Sequence, residues 1–224
     1  MSACPIFMEG VETMTIGRIK IEALKLMFLN ARDIHEDELT SLGADQNYSD
    51  YLASMPGCIH RALQDMVLRK ILPKKVYVID PYADGEWVDG GFAFDTSRIA
   101  DLHDVARIVK HGSRGYVEDV GYDREGTRIL IFGYDTAYEY RVIYDVALPA
   151  VDQATPNDMQ PDIPEPLAVV IPYFIKAELF TTDTPSNAAE AERARGLYET
   201  ALALYANDPP SSRRVRIKTV FGGW

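Results

Sequence analysis

Four histidines, together with the acids beside them, are the residues in this sequence best suited to acid–base or metal chemistry: His35, His60, His103 and His111. His35 lies in an acidic stretch with Asp33 and Asp37, which is the arrangement closest to a hydrolytic site. Consecutive positions point in different directions, however, and no pair of ligands has the i, i+4 spacing of a helix-borne zinc site. We therefore expect a solvated loop around His35, and we predict no catalytic residue and no metal site.

Nucleophile and phosphate-binding motifs are also missing from the sequence. It contains no G-x-S-x-G pattern and no glycine-rich phosphate loop, and the glycines that flank Trp87 predict a turn instead. Cys4 and Cys58 are the only cysteines, too few for a disulfide scaffold, and Cys58 lies beside Ile59 on an apolar helical stripe. These features predict a buried Cys58, a reduced intracellular protein and no cofactor.

The charge balance excludes some classes of partner. The 224 residues include 23 Lys and Arg against 34 Asp and Glu, for a net charge of −11. Such a surface argues against wrapping of nucleic acid or binding to an anionic membrane. No run approaches the roughly 18 apolar residues of a membrane span, and the first residues have no basic region typical of a secretory signal. We expect neither a membrane segment nor a signal peptide.

The C-terminal segment differs from the rest of the chain in charge. Removing its four basic side chains from the net −11 leaves −15 on the remaining residues. Apolar residues accompany the charges, and positions 215–218 alternate with the period of a strand. We predict that this segment is a docking arm whose partner-binding residues are Arg213, Arg214, Val215, Arg216, Ile217, Lys218, Phe221 and Trp224.

Helical periodicity dominates both ends of the sequence. A helix is predicted from an N-cap at Thr15 to about residue 29, a short one over 48–55 and a stronger one over 58–72, stopped by a proline. Near the other end, an apolar helix over 167–180 should kink or restart at Pro172. A last helix should follow an N-cap at Ser186 and bury Ala188, Ala191, Ala194, Leu197, Tyr198, Ala201, Leu202 and Tyr205.

A period of two replaces the helical period from residue 75 onwards. Eight of the 13 tyrosines lie in this block, and aromatic residues favour half-buried strands. Strands are predicted over 76–79, 91–94, 105–110, 115–120, 127–132 and 138–146. They should form a mainly antiparallel β module.

The order of these elements predicts an α+β fold with two lobes. Residues 15–72 and 165–206 should form a helical bundle, and the β module at 75–148 should be inserted between them. The proline-rich residues 149–164 are predicted to be a linker, because such a stretch neither continues a helix nor pairs within a sheet. The arm at 207–224 completes the chain.

Several local sequences resemble one known family. These include Ile16-x-x-Ile19 at the start of a helix, Met55-Pro-Gly-Cys-Ile59, and Ile171-Pro-Tyr-Phe-Ile-Lys-Ala-Glu-Leu-Phe180 before the last helix. In this order they resemble the head-to-tail connector, or portal adaptor, proteins of tailed bacteriophages. In that family, helices from both termini form a small bundle, a β domain is inserted in some members, and a C-terminal arm reaches the portal or the next subunit.

The resemblance implies a structural virion protein rather than an enzyme. It implies a homo-oligomeric, dodecameric ring in the virion neck, assembled in the host cytoplasm, with the portal and tail or tail-completion proteins as partners. The double-stranded viral DNA would pass through this ring without specific binding. The acidic composition fits such a role, because a negatively charged subunit repels the phosphates of a sliding duplex.

Two other functions remain open at this point. The β module is an alternative carbohydrate- or peptide-binding module, because exposed Trp87 and Tyr82 are suited to stacking on a ligand. A hydrolase that uses His35 with Asp33 or Asp37 is the third alternative.

Overall fold

The computed structural model describes residues 14–28, 34–112, 117–180 and 185–207, which form an α+β fold with two antiparallel sheets. Its helices are α1 (Ile16–Met27), α2 (Leu39–Leu42), α3 (Ser49–Leu68), α4 (Glu165–Ala168), α5 (Ile171–Phe180) and α6 (Pro185–Asn207). Short 3-10 turns cover Glu36–Glu38 and Thr96–Arg98. The strands are β1 (Lys75–Val78), β2 (Gly85–Val88), β3 (Gly91–Asp95), β4 (Leu102–His111), β5 (Val117–Asp119), β6 (Tyr122–Glu125), β7 (Arg128–Phe132) and β8 (Glu139–Val146).

The chain divides into two compact units, which we call the helical unit and the β unit. The helical unit consists of the described residues up to Leu63 together with those from Ala150 onwards. The β unit consists of residues 64–149, so the division falls within α3. In the helical unit α5 packs against both α1 and α6. No helix among the described residues is long and apolar enough to cross a membrane.

Helix α1 begins as the sequence predicts. The Thr15 side chain accepts a hydrogen bond of 3.0 Å from the backbone N–H of Arg18, which confirms the N-cap. Two further N–H groups of the first turn are satisfied from far along the chain. Ile16 N donates to Met159 O at 2.8 Å, and Gly17 N donates to Asn157 O at 2.7 Å. Part of the proline-rich stretch therefore lies against the start of α1.

Helix α3 corrects the prediction of two helices. The structure has one helix that continues through Pro56 and ends at Leu68, although the sequence predicted a break there and an end at 72. A proline removes only one backbone donor, and the deeply buried Met55, Cys58 and Ile59 around it compensate for that loss. The early end results from Lys70, whose φ of 54° is left-handed and closes the last turn.

Helices α5 and α6 confirm one prediction and correct two. Pro172 is the second residue of α5, so the helix restarts there as predicted, since proline fits the first turn. Helix α6 begins at Pro185 rather than after a cap at Ser186. Leu197 is 48% exposed and Ala188 is also exposed, although both were predicted to be buried. The buried stripe of α6 is Ala191, Ala194, Tyr198, Leu202 and Tyr205.

The β unit contains two four-stranded antiparallel sheets. Their strand orders are β1-β8-β4-β5 and β2-β3-β7-β6. The six predicted strands are present with shifted ends, but β2 and β6 were missed. The predicted turn around Trp87 is wrong for Gly85 and Gly91, which lie in paired strands where a Cβ would overlap the carbonyl oxygens of Ala93 and Ile131. Gly90, with a φ of 93°, makes the turn between β2 and β3.

Aromatic side chains join the two sheets into one core. The rings of Tyr77 on β1 and Phe94 on β3 lie 5.9 Å apart, and Tyr134 stacks on Tyr140 of β8 at 4.0 Å. Phe92 and Phe94 are fully buried. Burial of such rings is a large favourable contribution to folding, which explains the concentration of tyrosines in this block.

Candidate interaction surfaces

The predicted docking arm lies outside the described residues. This applies to the eight partner-binding residues, Arg213, Arg214, Val215, Arg216, Ile217, Lys218, Phe221 and Trp224. Docking of the arm therefore stays a prediction.

The histidines take up structural or solvent positions. His35 is exposed, and its backbone N–H donates to Glu38 Oε2 at 3.1 Å. His60 Nδ1 accepts a 3.4 Å hydrogen bond from the backbone N–H of Val151. The two others, His103 and His111, lie on β4. Within the described ranges, no three His, Cys, Asp or Glu side chains are grouped so as to hold a metal ion.

Cys58 is buried, as the sequence predicted. Its side chain is only 1% exposed, and Arg61 Nη2 lies 3.3 Å from its sulfur. Burial raises the pKa of the Cys58 thiol, and the nearby Arg61 only partly opposes this effect. A raised pKa keeps the thiol protonated, so this group is suited to packing rather than to nucleophilic attack.

Trp87 belongs to an aromatic cluster of the β unit. Its ring is 53% exposed and makes edge contacts with Phe92 at 5.5 Å and with Tyr134 at 5.4 Å. Tyr82 is 89% exposed, in the turn before β2. Trp87 therefore packs against the core through part of its surface and presents the remainder to solvent.

A separate cavity of about 410 Å³ lies beside β2 and β3 in the β unit. Arg128 on its wall forms an ion pair of 2.5 Å with Glu86, and the Asp95 carboxylate accepts from Ser97 N. Arg128, Glu86 and Asp95 therefore already have partners within the protein. The cavity thus presents few groups to a ligand.

A concave surface of the helical unit runs between α1 and α6, over α5. It consists of two neighbouring cavities of about 430 and 330 Å³, and both are lined by Leu26, Lys176 and Glu190. We call the second of these the α1–α6 groove; its other lining residues are Tyr173, Arg193, Ala194 and Leu197.

Lys176 forms the polar centre of the α1–α6 groove. Its ammonium group donates to Leu26 O at 2.9 Å and to Glu190 Oε2 at 2.7 Å, and it lies 5.0 Å from the centre of the Phe180 ring. The bond from Lys176 lowers the pKa of the Glu190 carboxyl. Lys176 thus caps the C-terminal carbonyls of α1 and links α1, α5 and α6 at one point.

Apolar side chains continue from the groove along α6. Leu197 and Leu204 are seven residues apart, so they lie on the same flank of the helix. They are 48% and 66% exposed. Sequence patterns did not predict this surface, because its residues come from three helices and Leu26 and Leu197 are 171 positions apart. Leu197 was also assigned to the core. The exposed Leu204, outside the predicted buried stripe, was the available signal.

An acidic segment lies in the same unit. Residues 34–50, which we call the acidic segment, contain five acidic side chains and no lysine or arginine. Asp37, Glu38 and Asp45 are exposed. Leu39 of α2 is buried, and a methyl group at Gly17 would stand 3.2 Å from its Cδ1 atom. The acidic segment is therefore held against the first turn of α1.

Comparison with known proteins identifies no relative: the chain matches no protein-family model and no curated protein sequence.

Proposed function

We propose that this protein is a structural component of a tailed-bacteriophage virion, a head-to-tail connector that extends the portal channel and joins the capsid portal to the tail. Its copies form a homo-oligomeric ring in the virion neck. The viral duplex passes through the ring without being bound specifically.

The order of the two units along the chain carries this proposal. The helical unit combines residues before and after the β unit, and α5 from the second stretch packs against α1 from the first. The connector family that the sequence resembles has the same order, with terminal helices around a β domain in some members. We propose that 15–72 and 165–206 build one bundle into which the β module at 75–148 is inserted.

Charge provides independent support. A net charge of −11 on each copy gives a ring a strongly negative surface. DNA binding depends mainly on neutralisation of phosphates by basic side chains, with release of counterions. An acidic channel lacks that attraction, so a duplex can move through it during packaging and ejection.

The arm at 207–224 is proposed to dock on an adjacent subunit or on the portal. Phe221 and Trp224 are its anchors, since buried aromatic residues dominate the energy of many interfaces. Its four basic residues guide docking to acidic neighbours and make it sensitive to salt.

The mass of the assembly tests the proposal directly. The full chain, alone and mixed with the portal protein of the same phage genome, should be measured by size-exclusion chromatography with light scattering. A ring, or a stable complex with the portal, is expected. A protein that stays monomeric and does not bind the portal would overturn the proposal. If such monomers also bound glycans saturably and lost that binding in Trp87→Ala, the carbohydrate-binding alternative would replace it.

Truncation tests the role of the arm. Deletion of residues 213–224 should leave a folded monomer that no longer enters particles. The matched variants are Phe221→Ala with Trp224→Ala, expected to weaken docking by about 2 kcal/mol or more, and the four basic residues changed to serine, expected to abolish its salt dependence. Incorporation of the truncated chain at the full-length level would show that the arm is not the docking element.

A further inference from the structure

The exposed flank of α6 and the α1–α6 groove form one apolar surface. The groove brings Leu26 and Tyr173 next to Leu197, and the same flank of α6 leads on to Leu204. Two of these four side chains, Leu197 and Leu204, are about half exposed or more. Apolar surface of this kind, bordered by charged residues, is typical of an interaction site.

The charges around this surface are opposite in sign to those of the whole chain. Three basic residues, Lys25, Lys176 and Arg193, and one acid, Glu190, line the two neighbouring cavities. The chain as a whole has a net charge of −11. A basic lining in an acidic protein selects an acidic partner.

The exposed acids Asp37 and Glu38 lie near the start of α1, whereas Tyr48, later in the acidic segment, contacts the Phe28 ring just after the end of α1 at 5.5 Å. Leu39, next to the acidic residues, packs on Gly17 in the first turn, whereas the groove begins at Leu26 in the last turn. The nine-residue step from Gly17 to Leu26 corresponds to about 14 Å along a helix. A single copy therefore presents the exposed Asp37 and Glu38 near the start of α1 and a basic, apolar groove near its end.

We propose that the α1–α6 groove receives the acidic segment, residues 34–50, of a second copy of this chain. Arg193 faces the acidic side chains of that segment, while Leu197 and Leu204 are covered by the neighbouring copy. This contact is head to tail, because the two surfaces that meet are different. Head-to-tail contacts close into rings when the rotation between copies permits it. The inference rests on the proposed ring and specifies how its subunits join.

Charge reversal in two separate variants gives a sharp test. Arg193→Glu alters only the groove, and Asp37→Arg alters only the acidic segment. Each variant alone should raise the concentration needed for ring assembly about tenfold or more, which corresponds to about 1.4 kcal/mol. An equimolar mixture should recover assembly, because the two reversed charges then meet each other at one interface and the two native charges meet at the next. A mixture that assembles no better than the single variants would overturn the proposed pairing.

The apolar part of the interface has its own test. Leu197→Asp should prevent ring formation, whereas Leu68→Asp, at a leucine that is 73% exposed in the β unit, should not. Circular dichroism and thermal unfolding of both monomers provide the folding control. Normal rings from a folded Leu197→Asp protein would refute the groove contact but leave the proposed function intact. A wild-type chain that forms no ring, alone or with portal, would instead refute both.

Discussion

Lys20 Nζ donates to Asn157 Oδ1 at 2.8 Å, which joins α1 to the proline-rich stretch across 137 positions of sequence. Lys20 is only 9% exposed, and this partner is neutral. Burial lowers the pKa of the Lys20 ammonium from the ordinary 10.5. The folded protein therefore bears the cost of a buried charge at neutral pH.

Lys20→Met should change how stability depends on alkaline pH. The Lys20 pKa is lower in the folded state, so the unfolded chain binds more protons between the folded pKa and 10.5. Through this group, the free energy of unfolding therefore increases as pH rises in that range. The variant should lose this gain, so its free energy of unfolding should rise less with pH over this range. Urea unfolding from neutral pH to about pH 10 measures the difference. Equal pH slopes in both proteins would contradict the expectation.

Asp145 should be among the most sensitive charged positions of the β unit. It is 6% exposed and lies 2.5 Å from Lys74 Nζ and 3.7 Å from Lys70 Nζ. Its Oδ2 atom has no hydrogen-bond partner among the described residues. Asp145→Asn removes the charge that balances these ammonium groups and should cost about 2–3 kcal/mol of unfolding free energy.

Asp119→Asn is the matched control for Asp145→Asn. Asp119 is 70% exposed and pairs with Arg107 at 3.7 Å, so its loss should cost about 0.5 kcal/mol or less. Both free energies can be measured by urea unfolding. Equal losses of unfolding free energy at the two positions would show that burial does not determine how much each ion pair contributes to stability.

Gly91→Ala should disrupt the pairing of β3 with β7. A Cβ at this position would overlap the carbonyl oxygen of Ile131, and a paired backbone cannot move away cheaply. We expect a loss of about 2 kcal/mol or more. Gly121→Ala, where no atom of the described residues lies within 4 Å of the new methyl group, should change stability by about 0.5 kcal/mol or less. A thermal unfolding series would show whether the two alanines differ.

Tyr134 should ionise at a higher pH than an ordinary tyrosine. Burial, and then the neighbouring Tyr140, Asp80 and Asp84, raise the pKa of Tyr134 from 10.0 to about 12. The neutral phenol is favoured in the folded state, so this group supports the fold below pH 10 and loses that effect as pH rises towards 12. An ultraviolet titration should show one late phase that Tyr134→Phe removes. Its persistence in that variant would assign the phase elsewhere.

Local patterns in the sequence predicted much of the fold because short-range physics determines them. The Thr15 cap and the restart at Pro172 each depend on neighbouring residues. Pro56 shows where local preference fails, since tertiary burial keeps α3 intact around it. Gly85 shows the opposite case, in which a residue typical of turns is required by a close strand contact.

The candidate surface was less predictable than the fold. Leu26, Tyr173 and Leu197 become neighbours only when α1, α5 and α6 pack together, and no periodicity encodes that packing. Amphipathic analysis assigned Leu197 to the core because it borders the buried stripe of α6. Leu197 stays exposed because the packing of the other helices leaves that flank of α6 uncovered.

The two hydrogen bonds that Met159 and Asn157 make with the first turn of α1 also constrain the order of events at the ribosome. Residues 157–159 emerge only after the whole of 64–149 has been synthesised. The β unit is continuous in sequence, so its strands can pair first. The helical unit can fold completely only after residues from 150 onwards have been synthesised. Contacts between distant parts of a chain slow folding and lengthen the exposure of apolar surface. A nascent chain stalled when residues up to 149, but not 157–159, have left the ribosome should thus contain a protease-resistant β unit and an α1 that is still cleavable.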